Sequence, residues 1–427
     1  MLNKFHYTCI DCRKTIESSK VVYLCDTCQK QNSETQPPYG VLKTEYNYSE
    51  IRARLSLVCG DTDKSDNIFN KLENTGFIDI LPIKSLESLP YLKVGNTPLY
   101  KISSINNTDF EFDLFLKDDS QNPTFSFKDR ASAIVSAYAK ENNIDTIVAA
   151  STGNAGSSLA GICASQKQRA IIFVPAAAPK AKLTQIMMYG AQIVPIAGTY
   201  DNAFDLSIEA TKKYGWYNRN TAFNPLTIEG KKTVSFELFS QLNRSIPDRI
   251  FVPVGDGVII SGVYKGFEDL LKLGIIKKIP VIVAVQAIGS GNIVNNIARD
   301  DFISSPSKTI ADSISVDIPR NFRMTKKYLL DYTGETILVS DEEIIAVSKI
   351  LSSNTGIFTE PAAAATFAGF LSYYKNGKFE KGSKNVVLLT GSGLKDLNAV
   401  QKIIDIPAPI KPDISSVEKF LSKKTSI

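Results

Sequence analysis

Histidine is nearly absent: His6 is the one instance in 427 residues. That excludes a Ser-His-Asp or Cys-His catalytic centre in the body of the chain, and any metal site built from several imidazoles. No apolar run approaches the roughly 20 residues that a membrane helix needs, so no membrane partner is expected. The opening stretch, Met1 to Cys12, lacks the apolar segment of a secretory signal. A large excess of one charge is missing as well. Lys and Arg number 49 against 44 Asp and Glu, and the resulting +5 is small for this length. The chain as a whole is therefore no nucleic-acid-binding polycation. The remainder is ordinary for a globular chain, 43% hydrophobic and 22% charged. The length suggests roughly two to three domains.

Four of the six cysteines form two Cys-x-x-Cys pairs, Cys9/Cys12 and Cys25/Cys28. Each pair fits a tight turn that aims two thiolates at one ion, and two such turns supply tetrahedral sulfur ligation. Four thiolates close a site, which points to structural zinc rather than a catalytic metal; two redox pairs or free thiols are the alternative. Val21, Val22 and Tyr23 read as a strand between the pairs. Nearby basic residues (Lys4, Arg13, Lys14, Lys20) are few and not interleaved with aromatics, so a stabilising or docking role is expected in place of nucleic-acid contact. Thiolate-bound zinc, with Cys59 and Cys163 left unpaired, suits a reducing cytoplasm. Residues 1–38 thus read as a four-cysteine module with a polar linker, and 39–95 as an extended arm with short helices.

From residue 110 onward short apolar runs alternate with helical stretches. The strands expected are Phe112–Lys117, Thr146–Ala150, Ala170–Val174, Gln192–Ile196, Ile250–Val254, Pro280–Gln286 and Asn385–Thr390. Helices are expected at Arg130–Asn142, Ala155–Gln166, Lys180–Tyr189, Tyr200–Tyr214, Ser261–Leu273, Asp341–Asn354 and Pro361–Asn376. This alternation means an α/β fold, parallel sheet covered by helices. Ligands in such folds sit at the carboxyl ends of strands, facing helix amino-termini.

Four strand-to-helix junctions carry chemistry-bearing residues. The first, Asn122 to Arg130, places Lys128 at a helix start, where a cation opposes the helix dipole. That placement suits an amine that is neutral or covalently tied. The second, Ser151-Thr-Gly-Asn154, combines small residues with an amide. The third, Gly255-Asp-Gly-Val-Ile259, offers free N–H groups to a phosphate. The fourth, Thr390-Gly-Ser-Gly-Leu-Lys-Asp396, puts a hydroxyl at a strand end. Taken singly, each also reads as a surface lysine or an ordinary capped turn. One ligand would use all four: a phosphorylated aldehyde ring, pyridoxal 5′-phosphate.

With these residues in view, the chain resembles the fold-type II pyridoxal-phosphate enzymes of the tryptophan synthase β-like superfamily, and threonine synthases in particular. The motifs are Asn-Thr-Pro-Leu (96–99), Ser-Phe-Lys-Asp-Arg (126–130), Ser-Thr-Gly-Asn (151–154), Glu-Gly-Lys-Lys-Thr (229–233), Pro-Val-Gly (253–255), Glu-Pro-Ala (360–362) and Thr-Gly-x-Gly-Leu-Lys-Asp (390–396). The resemblance implies two doubly wound parallel-sheet domains after a small zinc-ribbon-like module. It places the catalytic region at 96–427, with a smaller subdomain at about 125–220 inserted in the larger one. It implies that Lys128 is the Schiff-base lysine and moves the Cα proton. Asn154 would meet the ring hydroxyl and Thr390 the ring nitrogen. Gly255, Asp256, Gly257, Val258 and Ile259 would hold the cofactor phosphate, and Ser151, Thr152 and Lys182 would face the substrate. A homodimer is the family habit.

Departures from the family pattern bear on the substrate. Ala155 stands where a hydroxyl residue is usual. The expected substrate-phosphate stretch carries Thr221, Ala222 and Thr227, without the family's serine and arginine. Asp256 brings an acid to the phosphate turn, repulsive unless it turns away; capping the following helix is its expected alternative. The leading expectation is a lyase converting O-phosphohomoserine to threonine and phosphate. The alternative is an ammonia-lyase or β-replacement enzyme using a serine, threonine or diamino-acid type of substrate. A non-catalytic binding module of this fold is the third reading.

Overall fold

The computed structural model describes residues 4–57 and 64–424; Cys59 lies outside the described residues. A small antiparallel sheet opens the chain, from β1 (Phe5–Cys9), β2 (Thr15–Glu17) and β3 (Leu42–Tyr46) in the order β2-β1-β3. The strand expected at Val21–Tyr23 does not form. Those residues run as irregular chain toward a single bridge from Leu24 to Val41, and the partner of β1 is instead Leu42–Tyr46, in register Cys9 to Leu42 and Phe5 to Tyr46. The alternating buried positions of β1 and β3 explain the choice: Phe5, Tyr7, Leu42, Thr44 and Tyr46 all point into one interface.

Strands β4 (Leu99–Ile105) and β5 (Thr108–Asp118) begin the main body as an antiparallel pair. The chain then builds a separate parallel sheet from β6 (Thr146–Ala150), β7 (Arg169–Pro175), β8 (Gln192–Ile196) and β9 (Tyr217–Asn218), ordered β8-β7-β6-β9. It returns to the first sheet with β10 (Arg249–Pro253), β11 (Val281–Ala287), β12 (Glu335–Val339) and β13 (Lys384–Leu389). The completed order is β12-β11-β10-β13-β5-β4, parallel except for β4 at the edge. Strands β10 and β13 are buried along nearly their whole length, as expected of strands covered on both faces.

Helix ends follow local chemistry. Thr199 and Ser340 each close a capping box, with Asn202 and Glu343, at the starts of Tyr200–Tyr214 and Asp341–Thr355. Both helices end at a left-handed glycine, Gly215 and Gly356. Pro361 opens Pro361–Lys375, whose Phe367 and Phe370 pack with Phe112, Phe251 and Phe379 over the larger sheet. In both sheets the strand order reverses about a central strand, at β6 and at β13. The segments leaving those strands are therefore free to face a ligand.

Candidate active site

Lys128 is the first residue of the helix Lys128–Glu141. The loop before it is held from two sides. The Phe127 N–H donates to the Thr390 carbonyl at 2.8 Å, and Ser126 pairs with Gly391 in an isolated bridge. The Thr124 N–H and hydroxyl donate to the buried Asp129 carboxylate at 2.7 and 2.5 Å. Arg130, fully buried, pairs with Asp119 and Glu237, both at 2.6 Å, which anchors the same turn. The Lys128 side chain itself is half-buried. Burial pulls its amine below the ordinary lysine range; the Glu360 carboxylate opposes this and the Arg219 guanidinium reinforces it.

Asn154 begins the helix Asn154–Gln166 at the end of β6 and is buried. Its side-chain amide donates to Glu360 at 2.8 Å and to Ser313 at 3.3 Å. Ser151 and Thr152 are half-buried in the turn before it, where the Ser151 hydroxyl accepts from the Gly153 N–H at 3.2 Å. The small residues here divide their roles. A Cβ on Gly153 would meet open space, whereas one on Gly156 would lie 2.4 Å from the Ser151 carbonyl oxygen, so Gly156 serves the helix–loop contact. Thr390 is buried at the end of β13, on the strand that supports the Lys128 loop.

The turn Gly255–Ile259 leads from β10 into the helix Val258–Lys272. Gly257 is the cap residue at φ +85°, and its carbonyl accepts from Thr325 at 3.0 Å and Asn321 at 3.2 Å. Asp256 does not cap this helix, contrary to the sequence expectation. Its carboxylate accepts from the Arg320 N–H at 3.0 Å, and its carbonyl from the Asn321 N–H at 3.0 Å. The acid is thus held by the backbone of the neighbouring loop at Arg320 and Asn321. Lys182 pairs with Asp312 at 2.7 Å in a partly exposed position. Of the positions expected to lack substrate-phosphate ligands, Thr221 accepts from Arg219 at 2.9 Å and Thr227 donates to the Asn224 carbonyl at 2.8 Å; Ala155 and Ala222 offer no polar side chain.

Four further residues belong to this region and were given no role in the sequence reading. Glu360 is buried, with Oε2 receiving Asn154 and Oε1 without a hydrogen-bond partner among the described residues. Burial raises its pKa, while Lys128 pulls it down. Arg219 is fully buried, donates to Ser132 at 3.2 Å and to Thr221, and is pushed down to about 10 by burial. Lys231 is fully buried. Lys395 joins the two sheet regions by donating to Ser157 at 2.8 Å, Gln185 at 2.6 Å and the Thr124 carbonyl at 3.2 Å. Glu360, Lys231 and Lys395 stand inside motifs already noted; Arg219 had no such signal.

An amine, an amide, a strand-end hydroxyl and a glycine turn with free N–H groups suit an aldehyde-bearing phosphorylated ring. The orphaned Glu360 Oε1 lies in the same cluster. At the other end of the chain the four cysteine sulfurs lie within 4.8 Å of one another, with Cys9–Cys28 at 3.7 Å and Cys12–Cys25 at 3.8 Å. A tetrahedral thiolate shell at 2.3 Å from an ion requires sulfurs about 3.8 Å apart.

Residues 91–391 match the family described as pyridoxal-phosphate dependent enzyme, and the chain belongs to that family. Its similarity runs through nearly the whole chain to threonine synthases. The one of Methanocaldococcus jannaschii is 32% identical over 421 residues, covering 97% of this chain and 99% of that protein. That of Methanosarcina acetivorans is 30% identical, covering 98% and 99%. Within its family the chain is a threonine synthase-like lyase. Solved structures share the fold. Threonine deaminase isoform 2 from Solanum lycopersicum superposes with a TM-score of 0.60 at 22% identity, over 72% of this chain and 89% of that one. O-ureido-L-serine synthase gives 0.62 at 18%, over 77% and 97%.

Proposed function

We propose that this lyase acts on an O-activated amino acid by elimination and replacement, with O-phosphohomoserine and water giving threonine and phosphate as the reaction to test first. The observation that carries this is similarity to threonine synthases along 97% of the chain. Bound pyridoxal phosphate supplies an aldehyde for an amine and a ring that spreads carbanion charge. In this reading Lys128 anchors the cofactor, then takes and returns the proton at the substrate Cα. Its burial favours the neutral amine such a base needs. Asn154 orients the ring, and Gly255, Asp256, Gly257, Val258 and Ile259 offer backbone donors to the phosphate. Thr390 meets the ring nitrogen. A hydroxyl cannot protonate that nitrogen as a carboxylic acid would, so the electron sink is weaker, which favours elimination and replacement over transamination or racemisation. In this reading Ser151 and Thr152, before the Asn154 helix, receive the substrate carboxylate.

Holoprotein given O-phosphohomoserine should release threonine and phosphate in equal amounts, and no turnover would remove this substrate. Lys128→Ala should abolish turnover; near-normal activity in that variant would refute its role. A specific observation favours the second reading, a serine-, threonine- or diamino-acid-type ammonia-lyase or β-replacement enzyme. Lys182 is already paired with Asp312, and Thr221 and Thr227 spend their hydroxyls inside the protein. Keto-acid and ammonia release from such amino acids, without phosphate chemistry, would establish the ammonia-lyase, and a new amino acid formed from an added nucleophile the β-replacement enzyme.

Structural zinc at Cys9, Cys12, Cys25 and Cys28 is proposed on their sulfur spacing. A reducing cytoplasm fits Cys163, buried and free, and a homodimer is kept as the family's habit. The division at residues 38 and 95 stays a proposal, with the pairing of β1 to β3 bridging its first boundary.

A further inference from the structure

Three cations act on one another here, Lys128 half-buried and Arg219 and Lys231 fully buried. Among the described residues none of them forms an ion pair. Lys128 and Arg219 at least have neighbours that explain them, since one is the proposed reactive amine and the other is hydrogen-bonded to Ser132 and Thr221. Lys231 has neither. It is 0% exposed, and its ammonium has no hydrogen-bond partner among the described residues. An unpaired ammonium sealed from water is strongly unfavourable unless a counter-charge reaches it.

The surroundings of Lys231 show where that charge must lie. Its stem packs on the phosphate-turn helix, so closely that a Cβ on Gly262 would come within 2.6 Å of the Lys231 Cβ. The charges acting on its amine are Arg219 and Lys128, which push it further down after burial has done most, and Asp256, which pulls it up. Asp256 is the acid of the turn Gly255–Ile259, and its carboxylate is engaged by the Arg320 N–H. Lys231 is thus a buried donor, without a partner among the described residues, packed on the helix that the turn Gly255–Ile259 opens.

We propose that Lys231 is the cation that binds the cofactor phosphate at this turn, offsetting the repulsion that Asp256 brings to a dianion. This rests on the cofactor reading above. It adds a side-chain ligand that the glycine turn does not itself contain. A backbone N–H cup gives partial charges, whereas an ammonium gives a full charge and a strong, charge-assisted hydrogen bond.

The test compares the cofactor with its dephosphorylated form. Cofactor-free wild type, Lys231→Gln and Lys231→Met are titrated with pyridoxal 5′-phosphate and with pyridoxal, following absorbance of the adduct with Lys128. Both variants should bind pyridoxal within about twofold of wild type and pyridoxal 5′-phosphate roughly tenfold or more weakly. Lys231→Met removes an unpaired buried charge, so the cofactor-free variant should melt no lower than wild type. Equal weakening of both ligands would mean a structural role and would overturn the proposal, as would no change in either. If instead cofactor affinity holds and competition by inorganic phosphate or O-phosphohomoserine is lost, the cation serves a substrate phosphate and this assignment fails. Failure of wild type to form the adduct with either aldehyde would refute the cofactor reading itself.

Discussion

Glu360 holds a proton more tightly in the folded chain than in the unfolded one, because burial raises its pKa. The sign follows from linkage. The stability this group contributes is present below the usual carboxylate range and is lost as pH rises through the raised folded value. Urea unfolding of wild type and Glu360→Gln between pH 4 and 7 should show the variant gaining relative stability as pH rises; parallel curves would mean that folding leaves the Glu360 pKa unshifted. The same residue illustrates what sequence conveys at this scale. Lys128 and Asn154 were legible because each opens a helix after the loop that leaves an apolar strand. Glu360 was visible as part of a motif, but its role depends on Asn154, 206 positions away, donating to one oxygen and leaving the other bare. Lys231 was likewise visible only as part of a motif and Arg219 not at all: a cation stands out only once it is known to be buried without an acid.

Elements were legible where local chemistry decides them. Tyr200–Tyr214 was expected with its observed bounds, since Thr199 and Gly215 mark both ends. Strands Thr146–Ala150 and Gln192–Ile196 likewise stand where expected. The helix after β10 begins at Val258, three residues before the expected Ser261, because Gly257 in the left-handed region ends the turn abruptly. Strand Leu99–Ile105 was missed: it is a sheet edge with a single buried position, so it lacks a continuous apolar run. The two-residue strand Tyr217–Asn218 exists through pairing with β6 alone. Gly257 is also the element-scale weak point. A Cβ there would meet the Thr325 hydroxyl at 2.1 Å in a backbone region that side chains rarely adopt. Gly257→Ala should destabilise the chain by about 1–3 kcal/mol and weaken cofactor binding. Calorimetry with a parallel cofactor titration checks both, and an unchanged melting temperature would show that the turn relaxes freely.

At the scale of the molecule, the cysteine module is seated directly on the catalytic body. Tyr23 stacks on Phe223 at 4.5 Å, and its hydroxyl accepts from the Asn218 N–H at 2.8 Å. It thereby supports the segment that carries Thr221 and Ala222. Removing the proposed ion with a chelator should lower the melting temperature and raise KM for the amino-acid substrate more than it lowers affinity for the cofactor. Re-addition of zinc should reverse both, and insensitivity to chelation would argue against a metal in the module. The two-sheet body was legible from strand–helix alternation. The seating of the module was not, because it depends on single aromatic and acidic contacts across nearly 200 positions.

Beneath β3 lies a sealed ionic cluster. Lys232 pairs with Glu229 at 2.5 Å and Asp269 at 2.6 Å, and Lys265 pairs with Asp269; all four are fully shielded from water. Tyr46 donates to Glu229 at 2.5 Å and Tyr48 to Asp269 at 2.6 Å, so the roof over these charges is made by the amino-terminal residues. Excising that roof would flood the cluster and strip two of its hydroxyl donors. A truncation that removes β3 and Tyr48 therefore opens the cluster, and one that removes only the cysteine-bearing segment leaves β3 without its partner β1.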